Sequence, residues 1–151
     1  MEKEETIDFH IRWAWCRIAK MYDREAAKYN GTMASGYVLL NIDPENGTPS
    51  TKLGPMMGME PRSLTRVLKT LEERGLIYRE QDEKDKRKVN ICLTKNGHYR
   101  RQISRDTVID FNEKLMVHLT KKELGQFMSI MGKINNILDN EEIFCDEENN
   151  Q

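Results

Sequence analysis

The chain lacks nearly every signature of a chemical centre. Its three histidines, His10, His98 and His118, stand far apart, and none forms a His-x-x-x-His pair. There is no Cys-x-x-Cys, no Walker loop and no Gly-x-Gly-x-x-Gly. A zinc site, a phosphate cradle and a dinucleotide fold therefore all lack the residues they would need. Glu72-Glu73 is a carboxylate pair, but adjacent helix residues diverge and read as a solvated face. No catalytic residue, metal site or cofactor is expected, and the chain does not read as an enzyme. Three widely spaced cysteines, an odd number, give no disulfide framework and point to reduced thiols in a cytoplasm. No segment resembles a signal peptide, and no apolar run is long enough to span a membrane. The expectation is a cytoplasmic protein with no membrane partner. No internal repeat is visible.

Net charge is also scarce: it is −1 over 151 residues, which does not announce nucleic acid. Its distribution does. From Arg62 to Lys88 there are nine Lys/Arg against six Asp/Glu, and from Asp139 to Gln151 six Asp/Glu and no Lys/Arg. An acidic tail, expected to be disordered, thus hides a basic body. The length suits one domain with a real core.

What the chain does have is concentrated between Pro49 and Gly97. In Arg62-Ser63-Leu64-Thr65-Arg66-Val67-Leu68-Lys69-Thr70-Leu71, the residues Leu64, Val67, Leu68 and Leu71 recur at i, i+3, i+4, i+7 and make one apolar stripe. Arg62, Thr65, Arg66 and Lys69 fall opposite. Pro61 suits the first helical position. Gly75 stands where a left-handed residue ends a helix, with Leu76 free to pack back on Leu71. Glu60 is a poor N-cap beside Ser, Thr, Asp or Asn. A shorter helix precedes this one, with Thr48 expected as N-cap, Pro49 at its first position and Leu53, Met56 and Met57 facing inward. Pro55 keeps it brief or distorted, and Gly58 permits the turn between the two helices. After Gly75, Leu76-Ile77-Tyr78-Arg79 reads as a short strand. Val89, Ile91 and Leu93 alternate with polar or small residues as a half-buried strand does. The loop between them is too polar to bury and carries Lys84, Lys86, Arg87 and Lys88. This is a winged helix-turn-helix, mainly α with a small β-hairpin wing. Arg pairs with guanine O6 and N7, Thr can meet a thymine methyl, and a slender cationic loop suits the minor groove. Taken alone, the charged helix face is also what an ordinary solvated face looks like.

Residues from about 32 to 97 resemble the MarR family of transcription regulators. The resemblance rests on Arg62-Ser63-Leu64-Thr65-Arg66, on Leu71-Glu72-Glu73-Arg74-Gly75-Leu76-Ile77, and on Asp85-Lys86-Arg87 followed by Val89 and Leu93-Thr94-Lys95-Asn96-Gly97. It implies a homodimeric regulator, a repressor by expectation, on double-stranded DNA with a pseudo-palindromic operator. Arg87 would enter the minor groove, and Asp85 would brace the wing against an Arg of the reading helix. The expected DNA-binding set is Thr51, Arg62, Ser63, Thr65, Arg66, Lys69, Lys84, Asp85, Lys86, Arg87 and Lys88. The expected layout is one MarR-like domain over 1–138, with dimerisation helices at 6–30 and 98–138, the winged helix-turn-helix at 32–97 and the tail at 139–151.

The flanking helices support that layout. From about Thr6 to Tyr29, Ile7, Ile11, Ala14, Trp15, Ile18, Tyr22, Ala26 and Tyr29 make one stripe, and Phe9, Trp13 and Cys16 a second beside it. A lone surface helix needs only one apolar face, so a partner subunit explains two; an intramolecular bundle is the alternative. Thr32 and Thr94 can cap further helices, and Thr120-Lys121-Lys122-Glu123 is a capping box. It opens a last helix with Leu124, Phe127, Met128, Met131, Ile134 and Leu138 on one face. Trp13, Trp15, Cys16, Tyr22, Tyr37, Met56, Met57 and Met59 are candidates for a pocket taking a small aromatic or apolar ligand. Periodic aromatics are more often simply core, and that reading of the same residues comes first. Peroxide-sensing members of the resembled family place a reactive Cys near the start of the first helix. Cys16 lies about one turn later, so a redox sensor and an inert small hydrophobe both stay open. A protein–protein adaptor built on the same winged helix is the remaining rival.

Overall fold

A computed structural model describes residues 2–140; the expected tail beyond residue 140 lies outside the described residues. A short 3-10 turn, Lys3–Glu5, precedes α1 (Ile7–Ala27) and α2 (Met33–Asn41). Then come β1 (Thr48–Pro49), α3 (Ser50–Met57), α4 (Pro61–Glu73), β2 (Ile77–Gln81), β3 (Val89–Leu93), α5 (Lys95–Met116) and α6 (Lys121–Asp139). The helical periods and the wing hairpin are as the sequence predicts. The described residues fall into two compact units, one ending at Ile109 and one beginning at Asp110.

The first unit holds the core. The stripe of α4 is buried at Leu64, Leu68 and Leu71, and it meets Val38 and Leu39 of α2, Leu53 of α3, and Ile77, Ile91 and Leu93 of the sheet. Burial of this kind contributes about 1.5–3 kcal/mol per large aliphatic side chain. The sheet has the order β1-β3-β2, antiparallel throughout. Ile77 pairs with Leu93 and Gln81 with Val89 across the hairpin.

The third strand was not expected. Thr48 does not cap α3; it sits in β1 opposite Ile91, with Pro49 opposite Asn90. Its buried hydroxyl accepts the Asp43 N–H at 2.8 Å. Pro49, having no N–H to give a ladder, is at home on a two-residue edge strand and stands just before the first residue of α3. Met56 also departs from expectation. It is 55% exposed, because the eight-residue α3 turns only Leu53 and Gly54 fully inward.

Three caps close as the residue types demand. Thr32 accepts from Ser35 N at 3.1 Å and Thr120 from Glu123 N at 3.2 Å, each in a reciprocal box. At the exit of α4, Leu76 N donates to Leu71 O at 2.9 Å and Gly75 takes φ 66°, a Schellman ending. Thr94 then ties that exit to α5. Its hydroxyl donates to Gly75 O at 2.6 Å and accepts from Gly97 N at 3.0 Å. A Cβ on Gly97 would lie 1.9 Å from Leu76 O, so only glycine lets α5 start this close to the end of α4. The Leu93-Thr94-x-x-Gly97 motif is therefore a junction.

The second unit contains α6. Among its described residues, α6 buries none; Leu124, Met131 and Ile134 are half-buried, and Phe127, Met128 and Ile130 are each more than half exposed. In the first unit α1 likewise buries no residue.

Candidate nucleic-acid interface and cavity

The exposed face of α4 carries Arg62, Ser63, Thr65, Arg66 and Lys69. Burying the leucine stripe forces these positions outward, since the helix period leaves them on the opposite arc. Thr65 donates its hydroxyl to Pro61 O at 2.8 Å, leaving its methyl group and lone pairs outward. Among the described residues, Arg62 and Arg66 join no ion pair, and Lys69 has only a loose, exposed one with Glu73 at 3.9 Å. Thr51 is exposed in the first turn of α3, where backbone N–H groups are unclaimed by the helix.

The wing tip is a built turn. Asp82 Oδ1 accepts from Lys84 N and Asp85 N, both at 2.9 Å, and those two N–H groups hold its carboxyl below the usual carboxylate range. Lys84, Lys86, Arg87 and Lys88 project from it, all exposed. Asp85 does not reach an Arg of the reading helix. Its Oδ1 accepts Arg87 N at 3.1 Å and its Oδ2 lies 4.0 Å from Lys88 Nζ. The tip's own backbone claims the carboxylate, and the tie between wing and reading helix runs instead from Arg79 Nε to Glu72 Oε2 at 3.1 Å. On β3, the Cys92 thiol is pushed up by burial, then by Glu80.

Within the first unit, α1, α2, α5 and the exit of α4 line a half-open cavity of about 490 Å³. Of the sequence candidates, Trp15, Tyr22, Tyr37 and Met57 line it. Burial raises the Tyr22 phenol above its ordinary value, so it stays protonated and able to donate. Trp13, Cys16, Met56 and Met59 are elsewhere. Trp13 stacks on Phe9 with centroids 6.2 Å apart and carries Arg17 5.2 Å over its ring. Cys16 is exposed on α1, and Met59 packs against the core. Sequence reasoning missed Arg74, Arg100 and Tyr29 on the wall, and the small residues that make room. Gly36 faces Ser104, and a Cβ there would stand 3.0 Å from Ser104 Oγ. Aromatic periodicity pointed only to the walls, and the small residues that make room are scattered along the chain without a pattern.

Residues 32–89 match the family model described as MarR family. The HTH-type transcriptional regulator SarZ of Staphylococcus aureus is 32% identical over 80 residues, 53% of this chain and 54% of that protein. The chain thus spans about half the length of the curated relatives it matches. A crystal structure of the S. aureus MepR–DNA complex superposes with a TM-score of 0.80 at 20% identity, covering 87% of this chain and 97% of that one. CouR from Rhodococcus jostii RHA1 bound to p-coumaroyl-CoA gives 0.78 at 19% identity, covering 89% and 94%. Motif, matched segment and winged-helix fold agree in their likeness to the MarR family over residues 32–89.

Proposed function

We propose that the protein is a homodimeric, sequence-specific DNA-binding transcriptional regulator, a cytoplasmic repressor without enzymatic activity, released from its operator by a small apolar or phenolic ligand. The observation that carries this reading is the outward cationic face of α4 beside a cationic wing tip, both on one well-buried core. The α4 residues Arg62, Ser63, Thr65, Arg66 and Lys69 read a major groove, Thr51 meets backbone phosphate, and Lys84 to Lys88 lie along the adjoining minor groove with Arg87 inserted. Two copies bind, because the apolar faces of α1 and α6 are left open within their own units and recognition helices of this kind read paired half-sites. The effector occupies the cavity and favours a dimer with the wrong spacing between reading helices, a population shift. Supporting analogies are the DNA in the MepR complex and the p-coumaroyl-CoA in the CouR complex.

The test is fluorescence anisotropy on duplex from the protein's own upstream region, beside a scrambled duplex, at two salt concentrations. Tight binding to the native duplex that weakens steeply with salt is expected. Absence of any salt-dependent binding would overturn the reading in favour of a protein–protein adaptor. Cys16, exposed and outside the cavity, gives redox sensing its own check: a wild type whose DNA binding ignores peroxide excludes it.

A further inference from the structure

The two elements proposed to meet DNA are both cationic. Arg62, Arg66 and Lys69 stand on α4, and Lys84, Lys86, Arg87 and Lys88 on the wing tip. Like charges on adjoining elements push the two apart until phosphates come between them. At its root the hairpin is well held. Ile77 and Leu93 are buried and paired, and Thr94 N donates to Leu76 O at 3.1 Å. Outboard of that root β2 buries nothing, since Tyr78, Arg79, Glu80 and Gln81 are all exposed. Among the described residues, one side-chain hydrogen bond joins this outer half to α4: Arg79 Nε donates to Glu72 Oε2 at 3.1 Å.

Placement gives that bond leverage. Glu72 follows Lys69 by three residues and Thr65 by seven, so it stands on the flank of the reading face. Its neighbour Glu73 diverges and pairs loosely with Lys69 instead. Arg79 stands opposite Ile91 in the ladder, two residues beyond Ile77. From Leu93 at the root to Arg87 is six residues, about 20 Å at 3.3 Å per residue. A tilt of about 10° at the root would carry Arg87 about 3 Å, a full hydrogen-bond length. The Arg79 and Glu72 side chains are 40% and 42% exposed, and pairs exposed to that degree contribute little to folding stability. What such a pair can fix is an angle.

Building on the proposed function, we propose that the Glu72–Arg79 pair is a strap that holds the wing at a fixed angle to the reading helix, so that α4 in the major groove and Arg87 in the minor groove engage one duplex together. Both are positioning residues and touch no DNA. With the strap closed, either contact presents the other to its groove, as two linked binding modules do. With it open, the wing swings about its root and each contact is made independently.

Fluorescence anisotropy on native and scrambled duplex tests this with Glu72→Gln, with Arg79→Gln, and with the exchanged pair Glu72→Arg and Arg79→Glu. Each single variant should lose about fivefold to tenfold on the native duplex and less than about twofold on the scrambled one. The salt slope should not change, because no phosphate contact is lost. The exchanged pair should recover to within about threefold of wild type. Arg66→Ala and Arg87→Ala then form a cycle. In the wild type the second loss should be about threefold smaller once the first contact is gone, whereas in Glu72→Gln the two losses should multiply. Native-duplex affinity that ignores both single variants would overturn the proposal, as would losses that already multiply in the wild type or an exchanged pair no better than the singles. A lowered salt slope in Arg79→Gln with no loss in Glu72→Gln would make Arg79 a phosphate contact and sink the strap. If the wild type binds neither duplex, the DNA reading fails, and hydrogen exchange judges the strap by itself. Glu72→Gln should then speed exchange of the amides from Arg79 to Gln81 about threefold or more while Ile77 keeps its protection, and unchanged exchange would end the idea.

Discussion

The winged region and the two outer helices solve the problem of apolar surface in opposite ways. Every member of the buried core cluster lies between Val38 and Leu93. The 21 residues of α1 and the 19 of α6 bury none within the described chain. Yet both outer helices are apolar on one side, with Trp15, Phe127, Met128 and Ile130 each more than half exposed. In proteins most helical stability comes from packing of an apolar face rather than from propensity. The winged region therefore stands on its own contacts, whereas α1 and α6 leave their apolar faces open within their own units, which is what the proposed dimer would cover.

The largest expected effect breaks the self-sufficient side. Leu71 is fully buried where α4 meets α2 and the sheet, so Leu71→Ala should destabilise by about 2–5 kcal/mol. Chemical denaturation read by circular dichroism checks it, and a loss under about 1 kcal/mol would show that this core can collapse around a gap. Next comes the open side. Phe127→Glu with Ile130→Glu should weaken dimerisation by about 2 kcal/mol or more, as for apolar anchors in an interface. Sedimentation should shift to monomer while the winged region keeps its melting behaviour. A dimer that persists unchanged would place the subunit contact away from this face of α6.

A smaller effect is expected where neither kind of burial operates. Arg87→Ala touches an exposed wing tip and should leave stability unchanged. It should weaken DNA binding by about 1–3 kcal/mol and reduce the salt slope by about one. Arg66→Ala should instead relax preference at one base position. Loss of affinity in either variant with an unaltered slope and unaltered base preference would mean that the cationic face only steers approach.

Much of the winged region was legible because its signals are local. Leu64, Leu68 and Leu71 mark their helix by spacing alone, and Gly58 and Gly75 take the left-handed conformations that only glycine adopts freely. Thr32 and Thr120 cap with their own neighbours. What sequence reasoning missed depends on distant partners. Thr48 reads as an N-cap until Ile91 arrives beside it. Asp85 was expected to meet a reading-helix Arg by resemblance, but the tip's own N–H groups reach it first. Arg74 reads as one more charged residue at a helix end, and only the fold brings the Tyr29 carbonyl across 45 positions to meet it. The cavity was half legible for the same reason. Aromatics announce themselves by period, but room beside them is made by Gly31, Gly36 and Ser104, which carry no pattern of their own.

The smallest predicted effect sharpens the comparison from inside α6. Thr120 and Glu123 cap this helix reciprocally, with Thr120 N donating to Glu123 Oε2 at 2.7 Å. Thr120→Ala should cost about 1 kcal/mol, and only in whatever melts with α6. Glu123 adds a pH signature. The Thr120 N–H, and then its hydroxyl, favour the carboxylate and hold its pKa below the ordinary 4.5. A lowered pKa in the folded state means that this contribution is complete above the unfolded value and is lost as pH falls through the folded one. Glu123→Gln cannot titrate, so the stability difference between wild type and variant should shrink on acidification below about pH 4.5 and stay flat above it. Asp43 and Asp82 are lowered as well, but both proteins carry them, and their contributions cancel in the difference. If the difference is the same at pH 3 and pH 7, the box is not closed in solution. The start of α6 would then depend on contacts from outside the box, such as those of the proposed dimer.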